Sequence, residues 1–153
     1  IEAFAMKWAA PTLNGVVYIG NNLRQVDRME VLLSDNLPGR EAVLRSWMES
    51  DISQMVTTDV GEPCGMVGIN HDIIWMLGTD KLIGSKRDCF QICREARRWV
   101  EHYLKELDRP LWNDVWVKNT TSIAWLKAIG FTVEEPRPMG ESAALFCRFW
   151  RKP

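Results

Sequence analysis

The stretch from residue 112 to residue 131 constrains the fold of this chain more than any other. Together with the residue before it, its first half alternates aliphatic side chains on one face with tryptophans on the other: Leu111, Val115 and Val117 against Trp112 and Trp116. Alternation with a period of two is typical of a β-strand. Because both faces are apolar, we expect this strand to lie inside a sheet that helices cover on both sides.

The second half of the stretch predicts a short helix with defined ends. Asn119 is the expected N-cap, because its side-chain oxygen can accept an N–H group of the first helical turn. Apolar residues then recur at helical spacing: Ile123, Leu126 and Ile129. Gly130 stands where a left-handed residue commonly ends a helix, and residues 131–133 return to β structure. The local sequence therefore predicts strand, helix, glycine and strand in that order.

This part of the chain resembles the closing half of the GNAT acetyltransferase fold, and the matching residues are Asn119, Ser122, Ile123, Trp125, Leu126, Gly130 and Phe131. Over residues 60–150 the chain is similar, more narrowly, to the GNAT-related internal virion proteins of short-tailed bacteriophages. The resemblance implies an α/β (α+β) fold like that of the GNAT acyl-CoA N-acyltransferases. Such a fold has a mixed central sheet with helices on both faces, in the order β-α-α-β-β-β-α-β-α-β-β.

The rest of the chain supplies the other elements of that order. Strands are predicted at 16–19, 52–60, 64–69, 73–77 and 143–150, helices at 23–33, 40–50 and 86–107, and a loop at 136–140. The first predicted helix carries four charged residues: Arg24, Asp27, Arg28 and Glu30. They indicate a solvated face whose charges neutralise one another, and a partner-binding helix beside the sheet is the alternative.

The composition is that of one ordinary globular domain spanning residues 1–153, in which the first twelve are expected to be extended or vector-derived. A net charge of −1 gives no global electrostatic case for binding nucleic acid. The basic residues at 86–87 and 94–98 are interpreted as a solvated helix face. No apolar run approaches the ~20 residues of a membrane span. The sequence leaves a homo-oligomer open.

Four cysteines are scattered along the chain without a Cys-x-x-Cys pair. Cys89 and Cys93 lie one helical turn apart, and we expect both to be buried free thiols. A zinc site needs two further ligands beside such a pair, and the sequence holds only two histidines, His71 and His102. We therefore expect no metal site.

The resemblance implies acetyl-CoA as the cofactor. In acetyltransferases of this fold, the loop between the fourth strand and the third helix holds the pyrophosphate, with the pattern Arg or Gln, two residues, Gly, one residue, then Gly or Ala. Residues 81–86 stand at that place and begin with Lys81. The implied cofactor-binding residues are Leu77, Gly78, Gly84, Ser85, Lys86, Arg87 and Asn119. Alternatively, Ser85 and Asp88 form a capping box that satisfies the same N–H groups.

The catalytic residues are not assigned by the sequence. Many GNAT enzymes use a tyrosine of the fourth helix as the acid that reprotonates the CoA thiolate, and that position here is Leu126, preceded by Trp125. Neither side chain can donate a proton as an acid. The candidate general bases by residue type are His71, Asp72 and Asp80, and no spacing singles one of them out.

Two functions follow from the resemblance. The first is a catalytically degenerate phage protein that acts as an internal virion or host-interaction protein, with phage virion proteins or a host protein as partners, in the host cytoplasm or the virion. The second is an acetyl-CoA-dependent N-acetyltransferase acting on an unidentified amine. Proteins that share a fold can differ in function, so the two functions have to be distinguished from the residues of the site.

Overall fold

The computed structural model describes residues 6–83 and 86–153, without the side chains of residues 83 and 86–88. The strands are β1 Met6–Ala9, β2 Ile52–Thr58, β3 Pro63–Asn70, β4 Ile73–Gly78, β5 Leu111–Trp116, β6 Thr132–Val133, β7 Arg137–Met139 and β8 Ala144–Arg151. The helices are α1 Leu13–Asn21, α2 Gln25–Asp35, α3 Gly39–Glu49, α4 Lys86–Leu107 and α5 Thr120–Ala128, with a 3-10 turn at Asp80–Ile83.

The strands form one sheet in the order β1-β2-β3-β4-β5-β8-β6, with β7 also paired to β8. The β4–β5 pair is parallel, and the other pairs are antiparallel. One core lies between the sheet and α1–α3, and its buried members include Val16, Ile19, Val43, Met66 and Leu77. A second core lies under α4 on the opposite face, and its buried members include Val67, Trp99, Val100, Leu111 and Phe149. The predicted fold class, a mixed sheet with helices on both faces, is confirmed.

The predicted unit of strand, cap, helix and glycine is confirmed. Leu111 and Val115 of β5 are 0% and 3% exposed and pack in the core under α4. Asn119 caps α5, since its Oδ1 accepts the N–H of Ser122 at 3.4 Å. Gly130 has φ +97°, the left-handed conformation that glycine adopts without steric cost, and it follows the end of the helix.

The prediction that β5 is covered on both faces is only half right. Trp112 and Trp116, on the face away from α4, are partly exposed. The core formed by α1–α3 is centred on β2, β3 and β4, through residues such as Met55, Met66 and Leu77. It therefore leaves part of the neighbouring β5–β8 surface without a helix over it.

The strand predicted at 16–19 is wrong, because these residues lie inside α1. Thr12 caps this helix, its Oγ1 accepting the N–H of Gly15 at 3.1 Å. Val16 and Ile19, both 0% exposed, then face the core at helical spacing. Burial of one helix face has overridden the β preference of the branched residues. The first strand is β1, inside the segment expected to be extended, and it pairs antiparallel with β2.

The loop predicted at 136–140 contains a short strand instead. Arg137 and Met139 of β7 pair with Phe146 and Ala144 of β8. Pro138 lies between them. It is tolerated because β7 pairs only with β8 and is an edge strand, in which one missing N–H does not interrupt the sheet. Relative to the predicted order, the structure therefore has one further helix before β2 and one further strand before β8.

Candidate functional site

A cleft opens in the sheet where β4 and β5 separate. The two strands pair only at Ile73 and Trp112, where the Trp112 N–H donates to the Asp72 carbonyl at 3.1 Å. One residue further on, the Asn113 side chain inserts between them and donates from Nδ2 to the Ile74 carbonyl at 2.8 Å. Beyond this point the strands diverge, and a cavity of about 410 Å³ lies between them.

The cavity has one apolar wall and one polar wall. The apolar wall comes from α4 and α5, with lining residues Ala96, Trp99, Val100, Trp125, Leu126 and Ile129. The polar wall comes from α2, with lining residues Arg24, Asp27, Glu30, Ser34 and Asp35. Small-molecule sites commonly combine these features, an apolar surface with a few convergent polar groups. The cavity is therefore the candidate site.

The polar wall joins the two separated strands. Asp27 Oδ2 accepts the main-chain N–H of Gly78, at the end of β4, at 3.1 Å. Glu30 Oε1 accepts the main-chain N–H of Trp116, at the end of β5, at 2.7 Å. Arg24 strengthens the attachment to β4, because its own N–H donates to the Gly78 carbonyl at 2.9 Å. Helix α2 thus takes hydrogen bonds that a neighbouring strand would otherwise take.

Asp27 also forms a buried ion pair. Arg24 donates to it from Nε at 3.1 Å and from Nη2 at 2.8 Å, a two-pronged geometry that favours strong pairing. Arg24 Nη2 further donates to Ser122 Oγ of α5 at 3.2 Å. Arg24 and Asp27 are only 9% and 2% exposed. The network therefore links α2, β4 and α5 through an ion pair that is almost fully buried.

The prediction that the charges of this helix form a solvated face is wrong for Arg24 and Asp27, although Arg28 is exposed. The physical reason is that open main-chain groups at the cleft require polar partners, which these side chains supply. Leu23, Asp27 and Val31 are all buried at spacings of four residues. That spacing in the sequence places Asp27 inside an apolar stripe, which is the signal that could have identified it.

Glu30 is the titratable group with the most altered environment in the cavity. Burial raises its pKa from 4.5 to about 7, and the neighbouring Asp27 carboxylate adds to the rise. The hydrogen bonds from the Trp116 N–H and the Asn119 amide act in the opposite direction. A carboxyl of this pKa exchanges its proton near neutral pH, as a general acid or base must. Sequence reasoning did not identify Glu30 as a candidate.

Asn119 is fully engaged within the protein. It is 1% exposed, and its Nδ2 donates to Asp27 Oδ1 at 3.4 Å and to Glu30 Oε1 at 3.5 Å. Its Oδ1 holds the first turn of α5. The side chain that the resemblance assigns to the cofactor therefore donates long hydrogen bonds to both carboxyl groups of α2.

The other predicted cofactor residues are spread over different environments. Leu77 and Gly78 both line the cleft, and the side chain of Leu77 packs in the core with Val16 and Ile19. Gly84 and Ser85 lie outside the described residues, as does the proposed capping box. Lys86 and Arg87 begin α4, and their side chains also lie outside the description. All these assignments to the cofactor stay predictions.

Lys81, the cation that begins the predicted pyrophosphate loop, is paired elsewhere. Its Nζ lies 2.5 Å from Glu62 Oε2, and Glu62 Oε1 accepts the hydroxyl of Tyr18 at 2.7 Å. The hydrogen bond to Glu62 raises the pKa of Lys81. The loop cation is therefore directed to the β2–β3 turn rather than held free for a phosphate.

The described cavity contains none of the catalytic candidates predicted by residue type. His71, Asp72 and Asp80 do not line it, and neither does Tyr18 or Tyr103. Leu126 and Trp125 do line it, at the positions the resemblance gives to the acid and its neighbour. Tyr103 instead packs on Trp99, with ring centroids 4.7 Å apart. Two carboxyls that line the cavity have a raised pKa, Glu30 and Asp35, and burial is the main cause for both.

Cys89 and Cys93 are partly exposed rather than buried, which corrects the prediction for this pair. Cys93 lines the cavity, and burial of its thiol raises its pKa. Among residues 6–83 and 86–153, no group of three or more histidine, cysteine, aspartate or glutamate side chains could hold a metal ion. Within the same ranges, no helix is both long and apolar enough to cross a membrane.

The described side of the cleft does not fit coenzyme A in the way the resemblance implies. The Gly78 N–H and the Asn119 amide both donate hydrogen bonds to the Asp27 carboxylate. Lys81 forms an ion pair with Glu62. A cofactor bound along β4 would have to displace the buried pair of Arg24 and Asp27 before it could use these groups. Breaking such a pair is costly, because it leaves a charge buried without a partner.

No protein-family model and no curated protein sequence matches the chain. Solved structures match it over nearly its whole length. A ribosomal-protein-alanine N-acetyltransferase from Escherichia coli shares 13% sequence identity, over 97% of this chain and 93% of that chain, with a TM-score of 0.60. Spermidine N-acetyltransferase from Vibrio cholerae, solved with CoA and spermine, shares 12% sequence identity over 96% of this chain and 95% of that chain, with a TM-score of 0.63.

A third likeness is to an acetyltransferase from Salmonella typhimurium that modifies the N-terminal serine of a 50S ribosomal subunit protein. It shares 12% identity over 99% of this chain and 96% of that chain, with a TM-score of 0.64. Identities this low show the fold and not the chemistry. From its strand order, its helices on both faces and these likenesses, the chain has the GNAT acetyltransferase fold.

Proposed function

We propose that this chain is a catalytically silent protein with the GNAT fold, whose work is binding rather than acyl transfer. The observation that carries the proposal is the hydrogen bond from the Gly78 N–H to Asp27 Oδ2. It places a buried carboxylate on the main-chain donor that faces the cleft at the end of β4.

Acyl transfer needs hydrogen-bond donors directed at the oxygen on which negative charge develops. In this cleft the Gly78 donor is directed at an oxygen that already carries charge. Arg24 lines the same cavity, and its Nε and Nη2 already donate to Asp27 and Ser122. These contacts support a protein that has kept the fold but has no free donor at Gly78 for the developing charge.

The absence of an acid at the expected position supports the same proposal. Leu126 and Trp125 line the cavity where the resemblance places a tyrosine and its neighbour, and neither can protonate a leaving thiolate. The hydroxyl of Tyr18 lies on the outer surface with Glu62. The free main-chain donor and the acid, two independent requirements of acyl transfer, are thus both altered in a way that disfavours catalysis.

The partner follows from the resemblance rather than from the cleft. The likeness to internal virion proteins of short-tailed phages leads us to propose a phage protein that contacts other virion proteins or a host protein. It would act inside the particle or in the host cytoplasm. Mass spectrometry of purified phage particles tests the virion role, and finding the protein only in infected cells would favour a host partner.

An acetyl-CoA-dependent N-acetyltransferase is the second candidate, and two observations favour it. The cavity between β4 and β5 is large enough for part of a ligand, at about 410 Å³. Glu30, with a pKa of about 7, suits a base that takes a proton from an amine. We place it second because the donor groups beside Glu30 are already bonded within the protein.

Calorimetric titration with acetyl-CoA separates the two candidates. We expect no saturable heat from the wild-type protein up to about 1 mM acetyl-CoA, a ceiling that corresponds to about −4 kcal/mol of binding free energy. A dissociation constant in the micromolar range, lost in Lys86→Glu and retained in the surface variant Lys105→Glu, would overturn the proposal. Thermal shift is a second readout, since a ligand at about 100 times its dissociation constant adds about 2.7 kcal/mol of stability.

A further inference from the structure

The face of β5, β8 and β6 that points away from α4 carries a set of side chains that we name the tryptophan platform. Its residues line one shallow groove of about 410 Å³: Pro110, Trp112, Glu134, Arg148, Trp150 and Lys152. Trp112 and Trp150 lie directly opposite each other in the antiparallel β5–β8 register. Both are partly exposed. Trp112 also lines the cleft, beside the start of β4, whereas Gly78 lies at the far end of that strand.

The rings of the platform are held in place by charged neighbours. The Arg148 guanidinium lies 4.3 Å from the centre of the Trp112 ring, and Asp114 fixes it with hydrogen bonds of 3.0 and 3.2 Å. Trp150 Nε1 donates to a carboxylate oxygen of Glu134 at 2.8 Å. A surface ordered in this way loses little conformational entropy when a partner binds.

The residue types of the platform favour a protein partner. Tryptophan and arginine are enriched among the residues that dominate binding energy at protein interfaces. Here two tryptophans and one stacked arginine share a groove open to solvent. An extended peptide fits such a groove, because aromatic-lined grooves take flat proline or aromatic side chains against their rings.

The charge of the platform identifies the kind of peptide. The groove and its rim carry three cations, Arg137, Arg148 and Lys152, against the two carboxylates of Asp114 and Glu134. Both carboxylates already accept hydrogen bonds from within the protein. Arg137 is 53% exposed and 4.0 Å from its nearest carboxylate, and Lys152 is exposed. The three cations outnumber the two carboxylates, so the platform carries a net positive charge, which favours an acidic segment.

The same charges disfavour other occupants. A cation already stands over each ring, Arg148 over Trp112 and Lys152 over Trp150, so an ammonium ligand would be repelled. Nucleic acid binds through many phosphate contacts, and a chain of net charge −1 with three local cations offers few.

We propose that the tryptophan platform binds an extended acidic segment of a partner protein. The carboxylates of that segment would pair with Arg137 and Lys152, and a proline or aromatic side chain would pack on the exposed edges of Trp112 and Trp150 that the two stacked cations leave uncovered. This inference deepens the proposed binding role and rests on it. The partner is defined by its chemistry, an acidic chain with one flat apolar side chain.

Selection from a random peptide display library on the wild-type protein tests the inference. We expect the selected peptides to combine acidic residues with proline or an aromatic residue. Their affinity should fall by about tenfold in Trp150→Ala and by a few-fold in Lys152→Glu. The matched controls are Phe90→Ala, an aromatic 71% exposed on α4, and Lys105→Glu, and both should bind as the wild type does. Because Lys152 is exposed, its variant reports on binding even where the Trp150 variant folds poorly.

Selected peptides that are basic or uncharged, or that bind all four variants equally, would overturn the inference. So would oligothymidylate binding that Trp150→Ala abolishes, or a dimer in sedimentation that the same variant dissociates. Failure of this inference is distinguishable from failure of the proposed function, because acetyl-CoA titration reports on the cleft, whereas Trp150 and Lys152, the two residues changed to test the platform, do not line the cleft. Micromolar acetyl-CoA binding beside platform-dependent peptide binding would remove only the claim of catalytic silence.

Discussion

Asp27 and Glu30 lie one helical turn apart on α2 and accept main-chain N–H groups from two different strands, Gly78 of β4 and Trp116 of β5. These strands have separated by this point and no longer bond each other. The helix therefore completes the hydrogen bonding of the sheet from outside it. This arrangement fills the polar positions of the cleft with the protein's own side chains.

The buried pair should be a large contributor to stability. Asp27→Ala leaves Arg24 buried without its carboxylate and the Gly78 N–H without an acceptor, so we expect a loss of about 3–5 kcal/mol in the free energy of unfolding. Urea denaturation followed by tryptophan fluorescence measures it. The control is Arg45→Ala, which removes a single exposed pair with Glu49 and should cost below about 1 kcal/mol. Equal costs for the two variants would contradict the buried network.

Glu30 should make stability depend on pH. Its pKa is about 7 in the folded protein and 4.5 in the absence of the fold, so the native state holds a proton that the unfolded state has lost. Its contribution is complete below about pH 4.5 and is lost as pH rises through about 7. Relative to Glu30→Gln, the wild type should lose about 3 kcal/mol over this window.

The measurement is a series of urea denaturations at pH values between about 5 and 8 for the wild type, Glu30→Gln and the surface variant Glu141→Gln. Glu141→Gln should follow the wild-type curve, because its carboxyl is exposed. Parallel curves for the wild type and Glu30→Gln would show that Glu30 titrates as an ordinary carboxyl.

Asn119 is expected to respond differently to two substitutions. Asn119→Ala removes the N-cap of α5 together with the bonds to the α2 carboxylates, and should cost about 2 kcal/mol or more. Asn119→Asp keeps the cap but adds a third carboxylate beside Asp27 and Glu30. Its cost should therefore rise with pH, and melting temperatures at about pH 5 and pH 8 measure the difference. A cost independent of pH would place Asn119 away from these carboxylates.

Gly130 and Gly61 form a matched pair for backbone strain. Both have positive φ, +97° and +86°, but a Cβ at Gly130 would lie 3.0 Å from the Arg151 guanidinium, whereas nothing lies within 4 Å at Gly61. We expect Gly61→Ala to cost about 1 kcal/mol and Gly130→Ala more, since it also displaces the bond from Arg151 to the Ile129 carbonyl. Urea denaturation decides, and a smaller loss at Gly130 would contradict this account.

The sequence predicts most of the fold because its local signals agree with one another. The unit from β5 through Asn119 to Gly130 and the long helix α4 are found where the pattern places them. The first helix α1 was missed because its β-branched residues resemble a strand locally. Only their packing against α3 and the sheet, a contact between distant segments, favours the helix.

The candidate site was harder to predict, because its decisive feature is non-local. Asp27 and Gly78 are 51 residues apart, and no spacing in the sequence indicates that the Asp27 carboxylate accepts a hydrogen bond from the Gly78 N–H. Charged residues on a helix usually face solvent, so the pattern favoured the wrong interpretation for Arg24 and Asp27. The requirement that the open main-chain groups of a cleft be satisfied becomes visible only when the strands separate.

The most direct test of the central claim follows the Gly78 N–H itself by ¹H–¹⁵N NMR while acetyl-CoA is added to about 1 mM. If Asp27 occupies this donor, the Gly78 resonance should stay in place and its hydrogen exchange should remain slow, as expected for a buried hydrogen bond. A saturable shift of this resonance at micromolar acetyl-CoA would show that the cofactor takes the donor from Asp27, and would contradict the account.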